Sequence, residues 1–197
     1  MGRKKQFDET EALGKAMLLI WKKGYEAAST REIATAMGIN QFSLYATFGS
    51  KEKLYERALD YYFQQIIQGW LIIPLTEPGG GRDALRNFFE VFVTPGDGTY
   101  PTGCMIFNSM TIDAGQRPEV QAIIARYEAL ITTSFANVLR HDNPHDLDAD
   151  IEAKASLLLC LMAGIALKKR NGFEGRALQI VVDQTIKSCF PPEVLAG

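Results

Sequence analysis

Apolar residues recur at helical intervals along most of the chain. Ala12/Leu13, Ala16/Met17 and Ile20/Trp21 step along one face of a first segment, and Asp8 with Glu11 three residues on has the spacing of a capping box. These signals predict a first helix over 8–23. Ser29 and Glu32 repeat that spacing, Ile33, Ala34 and Met37 make one apolar face of a short second helix, and Gly38 stands where a helix closes in a left-handed residue. Asn40 is placed to cap a third helix in which Leu44, Tyr45 and Phe48 face inward. Gly49 closes that helix, and Ser50 caps a long fourth one from Lys51 to Ile73, ahead of Pro74. After the breaker Pro78-Gly79-Gly80-Gly81, a phenylalanine-rich fifth helix is predicted over 82–93 and a loop over 94–101. A short sixth helix is expected over 103–114, a seventh from Pro118 to 140, an eighth over 147–170 and a ninth over 174–190. No strand alternation, internal repeat or low-complexity tract interrupts this pattern, so the fold class is all-α with nine helices.

The stretch from Ser29 to Leu54 carries the most information. Two short helices joined by a tight turn, with a third directly behind, form the commonest device for presenting a helix to the major groove of DNA. At Thr30, Ile33, Ala34, Gly38, Ile39, Leu44, Tyr45, Phe48, Ser50, Lys51, Glu52 and Leu54 the chain resembles the tetracycline-repressor (TetR/AcrR) family of bacterial transcription regulators. The segment 7–25, ending Lys23-Gly24-Tyr25, also resembles that family's first helix. The resemblance is specific over roughly the first 60 residues. It departs at Asn40, where Ser is usual, at Phe42, where a small residue is usual, and at Ala46-Thr47, where larger polar residues are common. The resemblance implies a nine-helix regulator with a helix-turn-helix domain at 1–53 and an effector-binding, dimerisation domain at 54–197, linked by the helix starting at residue 51. It further implies a homodimer on a near-palindromic double-stranded operator, released by a small molecule.

Composition fits that reading. With 197 residues, 47% apolar and 22% charged, the chain is long enough for a well-buried core. The net charge of −2 is unevenly spread: residues 1–53 carry nine Lys/Arg against six Asp/Glu, and residues 54–197 carry twelve against seventeen. A basic end on an acidic body suits a molecule whose N-terminal end alone faces phosphate. Cys104, Cys160 and Cys189 are widely spaced and odd in number, which is neither a disulfide framework nor a zinc pattern and fits a reducing cytoplasm. No signal peptide opens the chain, and the thirteen-residue uncharged run between Lys154 and Lys168 is too short to span a bilayer.

Candidate DNA-contacting residues are Gln41, Phe42, Ser43, Tyr45 and Thr47 on the third helix, Thr30 and Lys51 at helix N-termini, and a basic arm of Arg3, Lys4 and Lys5. Gln41 suits an adenine edge, and Phe42 or the Thr47 methyl a thymine methyl. Tyr45 matches a family position that often touches the phosphate backbone.

The resemblance implies an effector cavity among helices four to eight. Candidate lining residues are Trp70, Phe88, Phe89, Phe92, Met105, Phe107, Asn108, Met110 and Tyr127, each with plain core packing as the alternative. Cys104 has two open readings. In the first it is a reactive sensor thiol at a helix N-terminus, because the segment from Gly103 to Ser109 resembles one found in a branch of the family that responds to electrophiles or oxidants. In the second it is a small buried hydrophobe. Cys160 and Cys189 read as structural. For the dimer interface the family expectation falls on Leu158, Leu159, Met162 and Ala163 of the eighth helix and on Val182 and Ile186 of the ninth, beside Leu178 and Val181, with the protein's own core as the alternative.

Other function classes find little support. There is no phosphate loop, H-E-x-x-H or Gly-x-Ser-x-Gly, so no catalytic residue and no cofactor are expected. His141 and His145 flank Asp142 but sit in a loop with Asn143-Pro144, so a solvated acidic loop is expected there rather than a metal site. Slight net acidity speaks against a nucleoid protein. The expectation is a cytoplasmic, homodimeric, sequence-specific repressor responding to an apolar or aromatic effector, with a Cys104-based redox or electrophile sensor as the runner-up.

Overall fold

The structure is a computed structural model that describes residues 7–76, 80–94, 98–173 and 175–190. Arg3, Lys4 and Lys5 lie outside the described residues. Within them the chain is helical, with no strand. Local caps account for the N-terminal helices. In α1 (Glu9–Lys23) the Asp8 carboxylate accepts the amide of Glu11. In α2 (Thr30–Met37) both halves of the Ser29/Glu32 capping box form. Gly38 ends α2 in the left-handed region at φ 73°, which a residue with a Cβ adopts only under strain. Asn40 caps α3 (Gln41–Phe48) and Ser50 caps α4 (Lys51–Tyr62) by accepting amides three residues on. These helices pack on one another through Ala16, Ile20, Ile33, Leu44, Leu54 and Ala58, all fully buried. Lys23–Glu32 (2.5 Å) and Arg57–Glu9 (2.6 Å) tie α2 and α4 to α1 at the rim.

The long fourth helix changes its winding partway along. After Tyr62 it runs as a π-helix over Phe63–Leu71 and then breaks into a four-residue α5 (Ile73–Thr76) around Pro74. It rests on α8 (Pro118–Asp142), to which Glu56 and Asp60 are joined by Arg117 and Arg126. The body is built from α6 (Gly81–Val93), α8, α9 (Asp148–Arg170) and α10 (Arg176–Cys189). Phe88, Phe89 and Phe135 are its fully buried aromatic centre, with Phe88 edge-on to both Phe89 and Phe135.

The expected helix over 103–114 is shorter than its pattern suggested. Only α7 (Met105–Ser109) forms, followed by a 3₁₀ turn over Asp113–Gln116. The chain folds back here because Gly115 lies against the end of α7: a Cβ on it would stand 1.8 Å from the carbonyl oxygen of Ser109. The helix count is therefore ten short and long α-segments instead of nine among the described residues.

Candidate nucleic-acid interface and effector cavities

α3 projects its outer face into solvent. Leu44 and Phe48 anchor it in the core, which leaves Gln41, Phe42, Tyr45 and Ala46 exposed, and Ser43 and Thr47 half-buried. Phe42 is 82% exposed, more than any other large apolar side chain described. Tyr45, expected inward from its spacing, is 46% exposed and turns its hydroxyl toward Thr30. Thr30 Oγ1 accepts from Gln41 Nε2 at 3.1 Å and from Tyr45 Oη at 3.4 Å, so the start of α2 braces the reading face of α3. The Lys51 ammonium lies 4.4 Å from the centre of the Tyr25 ring, at the N-terminus of α4. Hydrogen bonds from Lys23 and Ser29 pull the Glu32 carboxyl down to about 2, so the carboxylate that caps α2 stays charged. Burial, reinforced by the Glu52 carboxylate, pushes the Tyr25 hydroxyl up to about 12.

Two of the cavities behind this domain take in expected effector residues. One, of about 370 Å³, is lined by Trp21, Tyr25, Tyr55, Met105, Phe107, Asn108, Met110 and Gly164 among others. The second, of about 520 Å³, is lined by Trp21, Tyr62, Ile66, Trp70, Phe92, Tyr100 and Lys169 among others. Trp21 belongs to both, and its buried indole Nε1 has no hydrogen-bond partner among the described residues. Tyr100 stacks beside Trp21 and Trp70, with ring centres 6.0 and 6.2 Å apart. The Lys169 ammonium donates to the carbonyls of Phe92 and Thr94, which closes α9 onto the end of α6.

The expected effector residues thus separate. Trp70 and Phe92 line the 520 Å³ cavity, and Met105, Phe107, Asn108 and Met110 the 370 Å³ one. Phe88, Phe89, Cys104 and Tyr127 line neither, because each is fully buried and packed on side chains of its own chain. Cys104 sits beneath Tyr62, whose hydroxyl donates to its Sγ at 3.5 Å, and burial pushes the thiol up from its ordinary value. A raised thiol is the reverse of what a sensor needs in this conformation. Trp21 and Tyr100 were missed: the first read as core in an amphipathic helix, and the second lies in a loop without periodicity.

The dimer expectation also shifts. Leu158, Met162, Val182 and Ile186 are buried against this chain's own helices, while Leu159 and Ala163 are half-buried. The exposed apolar residues lie on the opposite faces: Leu157 and Leu167 of α9, and Ile180 and Val181 of α10. Cys160, expected to be structural, is exposed on that same side of α9, whereas Cys189 is buried. Around His141 the Nδ1 pairs with Asp142 at 2.7 Å, and Asp142 accepts the amide of Arg82. No cluster of three or more His, Cys, Asp or Glu suited to a metal occurs among the described residues. No helix there is long and apolar enough to cross a membrane.

Comparison with known proteins follows the same lines. Residues 12–58 match the family described as "Bacterial regulatory proteins, tetR family". Across the chain the sequence is 27% identical over 195 residues to the HTH-type transcriptional repressor ComR of Escherichia coli (strain K12), covering 94% of this chain and 90% of that one. Among solved structures, a cysteine mutant of the regulator CifR complexed with 26-base-pair operator DNA is 26% identical with a TM-score of 0.76, covering 96% of this chain and 100% of the other. The reduced form of E. coli NemR shares the fold, with a TM-score of 0.77 at 16% identity over 95% of this chain and 100% of that one. The capped helix-turn-helix and these likenesses agree: residues 12–58 carry the N-terminal domain of the tetR family of bacterial regulatory proteins, and the chain as a whole is similar to regulators of that family.

Proposed function

We propose that the protein is a homodimeric, sequence-specific repressor of the cytoplasm whose hold on its operator is loosened by a small aromatic or apolar effector. The observation that carries this reading is the outer face of α3, a row of uncharged side chains stabilised from behind by Leu44 and Phe48 and laterally by Thr30. Side chains held out in that way suit base edges in a major groove. Arg31 in the first turn of α2 and Lys51 and Lys53 in the first turn of α4 stand just before and after α3 in the chain and suit phosphates beside it. Two half-sites need two reading heads, and the exposed apolar side of α9 and α10 around Leu157, Leu167, Ile180 and Val181 is the surface offered to a second copy. The relatives support the repressor role, since ComR is named a repressor and CifR is seen on operator DNA.

The effector reading rests on the 520 Å³ cavity, whose aromatic walls suit a flat apolar molecule. Sensing through Cys104 is the weaker reading, because the thiol is fully buried and held protonated.

The test is footprinting of the purified protein on the DNA upstream of its own gene, at near-physiological salt and with excess unrelated competitor DNA. A protected near-palindromic site supports the reading and provides the probe for effectors. No protection there, followed by a random-sequence selection that enriches nothing, removes it.

A further inference from the structure

The recognition helix has a chemical peculiarity that bears on which DNA it reads. None of the eight residues of α3, Gln-Phe-Ser-Leu-Tyr-Ala-Thr-Phe, is charged. Guanine shows two acceptors in the major groove and is read most often by bidentate Arg or Lys, and the cytosine amino group is read by Asp or Glu. α3 carries none of these. Helical geometry puts Phe42 and Ala46, four residues apart, on the ridge opposite the buried Leu44 and Phe48. The outermost ridge of the reading face is therefore apolar. Ser43 and Thr47 flank it on one side, and Gln41 and Tyr45 on the other. One amide N–H of Gln41 is given to Thr30, which leaves its second N–H and its carbonyl for a base edge, the pair that adenine N7 and N6 accept and donate to. Phe42 is 82% exposed and touches nothing that would account for so large an apolar side chain at that place. The thymine C5-methyl is the apolar group that the major groove offers.

We propose that α3 reads thymine methyl groups through Phe42, with Ala46 and Thr47 behind it, and adenine through Gln41. The half-site beneath α3 is then made of A·T pairs, and the protein tells thymine from uracil there. This inference rests on the DNA-binding reading above and specifies its target. Burying one methyl group is worth about a fourfold change in affinity, and about fifteenfold when both half-sites of a symmetric operator are changed together.

The experiment starts from sites recovered by random-sequence selection with the full-length protein, so it needs no known operator. In one such site each thymine is replaced by uracil, singly and in symmetric pairs, and affinities are measured at fixed salt for the wild type and for Phe42→Ala and Phe42→Leu. Thermal melts of the variants serve as the folding control, and an exposed position predicts melts equal to wild type. The expected result is at least one symmetric thymine pair whose replacement weakens the wild type about fifteenfold and leaves Phe42→Ala nearly indifferent, with Phe42→Leu between them. Three results overturn the proposal while leaving the repressor reading intact: selected half-sites with G·C pairs at the Phe42-dependent positions, no thymine whose replacement matters, or a Phe42→Ala variant as sensitive to uracil as the wild type. A selection that enriches no sequence removes both.

Discussion

Tyr55 and Ser109 join the helix behind the reading head to the short helix over the smaller cavity, and their bond makes a quantitative prediction. Both residues are buried, at 2% and 0% exposure, and their hydroxyls lie 2.5 Å apart. Ser109 Oγ also donates to the carbonyl of Met105 at 2.8 Å, so its single hydrogen is spent and Tyr55 must be the donor to Ser109. The two single substitutions are therefore unequal. Tyr55→Phe removes a donor and leaves Ser109 bonded to Met105, at a cost of about 1 kcal/mol. Ser109→Ala leaves the Tyr55 hydroxyl buried with nothing to accept it, at a cost of about 1–3 kcal/mol. The double variant has no stranded group, so it costs less than the sum by about 1 kcal/mol.

For a chain of this size 1 kcal/mol lowers the midpoint of thermal melting by about 2–4 °C, which calorimetry resolves. Urea unfolding at one fixed protein concentration gives the free energies for the cycle, the fixed concentration being needed because dimerisation shifts apparent stability. Single-variant effects that add to within about 0.3 kcal/mol would refute the bond. Tyr55→Phe costing more than Ser109→Ala would refute the direction of donation.

Three further outcomes are expected. The Glu32 carboxyl is held at about 2 against an ordinary 4.5, so its charged form stabilises the fold: the advantage of wild type over Glu32→Gln should be full above about pH 4.5 and vanish as pH falls through about 2, read from melts across that range, and a pH-independent difference would contradict it. Gly115→Ala drives a methyl into the Ser109 carbonyl and should destabilise by about 1–3 kcal/mol in urea titrations, whereas a neutral result would show that the 3₁₀ turn shifts freely. Cys160 lies on the proposed dimer face, so its alkylation should be fast in dilute protein and slow as concentration rises, while Cys104 and Cys189 label only on unfolding; labelling of Cys160 independent of concentration would move the interface elsewhere.

The reading domain was legible in the sequence because its determinants are local. Ser29, Asn40 and Ser50 each cap the amide three residues on, and Gly38 closes its helix alone, so spacing in the chain is spacing in space. The cavities were legible only in part: Trp70 and Phe92 were expected to line one, but Trp21, Tyr100 and Lys169 join them from places far apart in the chain, each with an unremarkable local pattern. The faces of α9 were ambiguous in a way periodicity cannot cure. Leu157 and Leu158 are both apolar neighbours, yet Leu158 is fully buried and Leu157 is 47% exposed. A helix apolar around most of its circumference states that it needs cover on several sides, not which side its own chain supplies. The break after Ser109 depended on a contact six residues on, between Gly115 and a carbonyl, that no helix signal contains.

The placement of Trp21 bears on how an effector would loosen the operator. A hundredfold weakening requires about 2.7 kcal/mol of preference for the state that binds DNA poorly. At about 25 cal/mol per Å² this is the burial of roughly 110 Å² of apolar surface in one state and not the other. A single tryptophan buries 150–250 Å² or so, thus one indole that changes its contact with a ligand suffices. Trp21 is that kind of wall: it lines both cavities, yet it belongs to α1, and two residues further on Lys23 pairs with Glu32 at the start of α2. Glu32 caps α2 together with Ser29, and the adjacent Thr30 holds Gln41 on the reading face. The route from cavity to base-reading side chain therefore runs through α1 and the cap of α2, by way of the Lys23–Glu32, Glu32–Ser29 and Thr30–Gln41 contacts, and bypasses the π-wound end of the fourth helix. That second wall, through Tyr62, Ile66 and Trp70, faces the same cavity from the other side. An effector seated between Trp21 and Trp70 would touch α1 and the end of the fourth helix at once, so under the proposed reading a wedge there would act on the reading head with no need for a relay through the phenylalanine core.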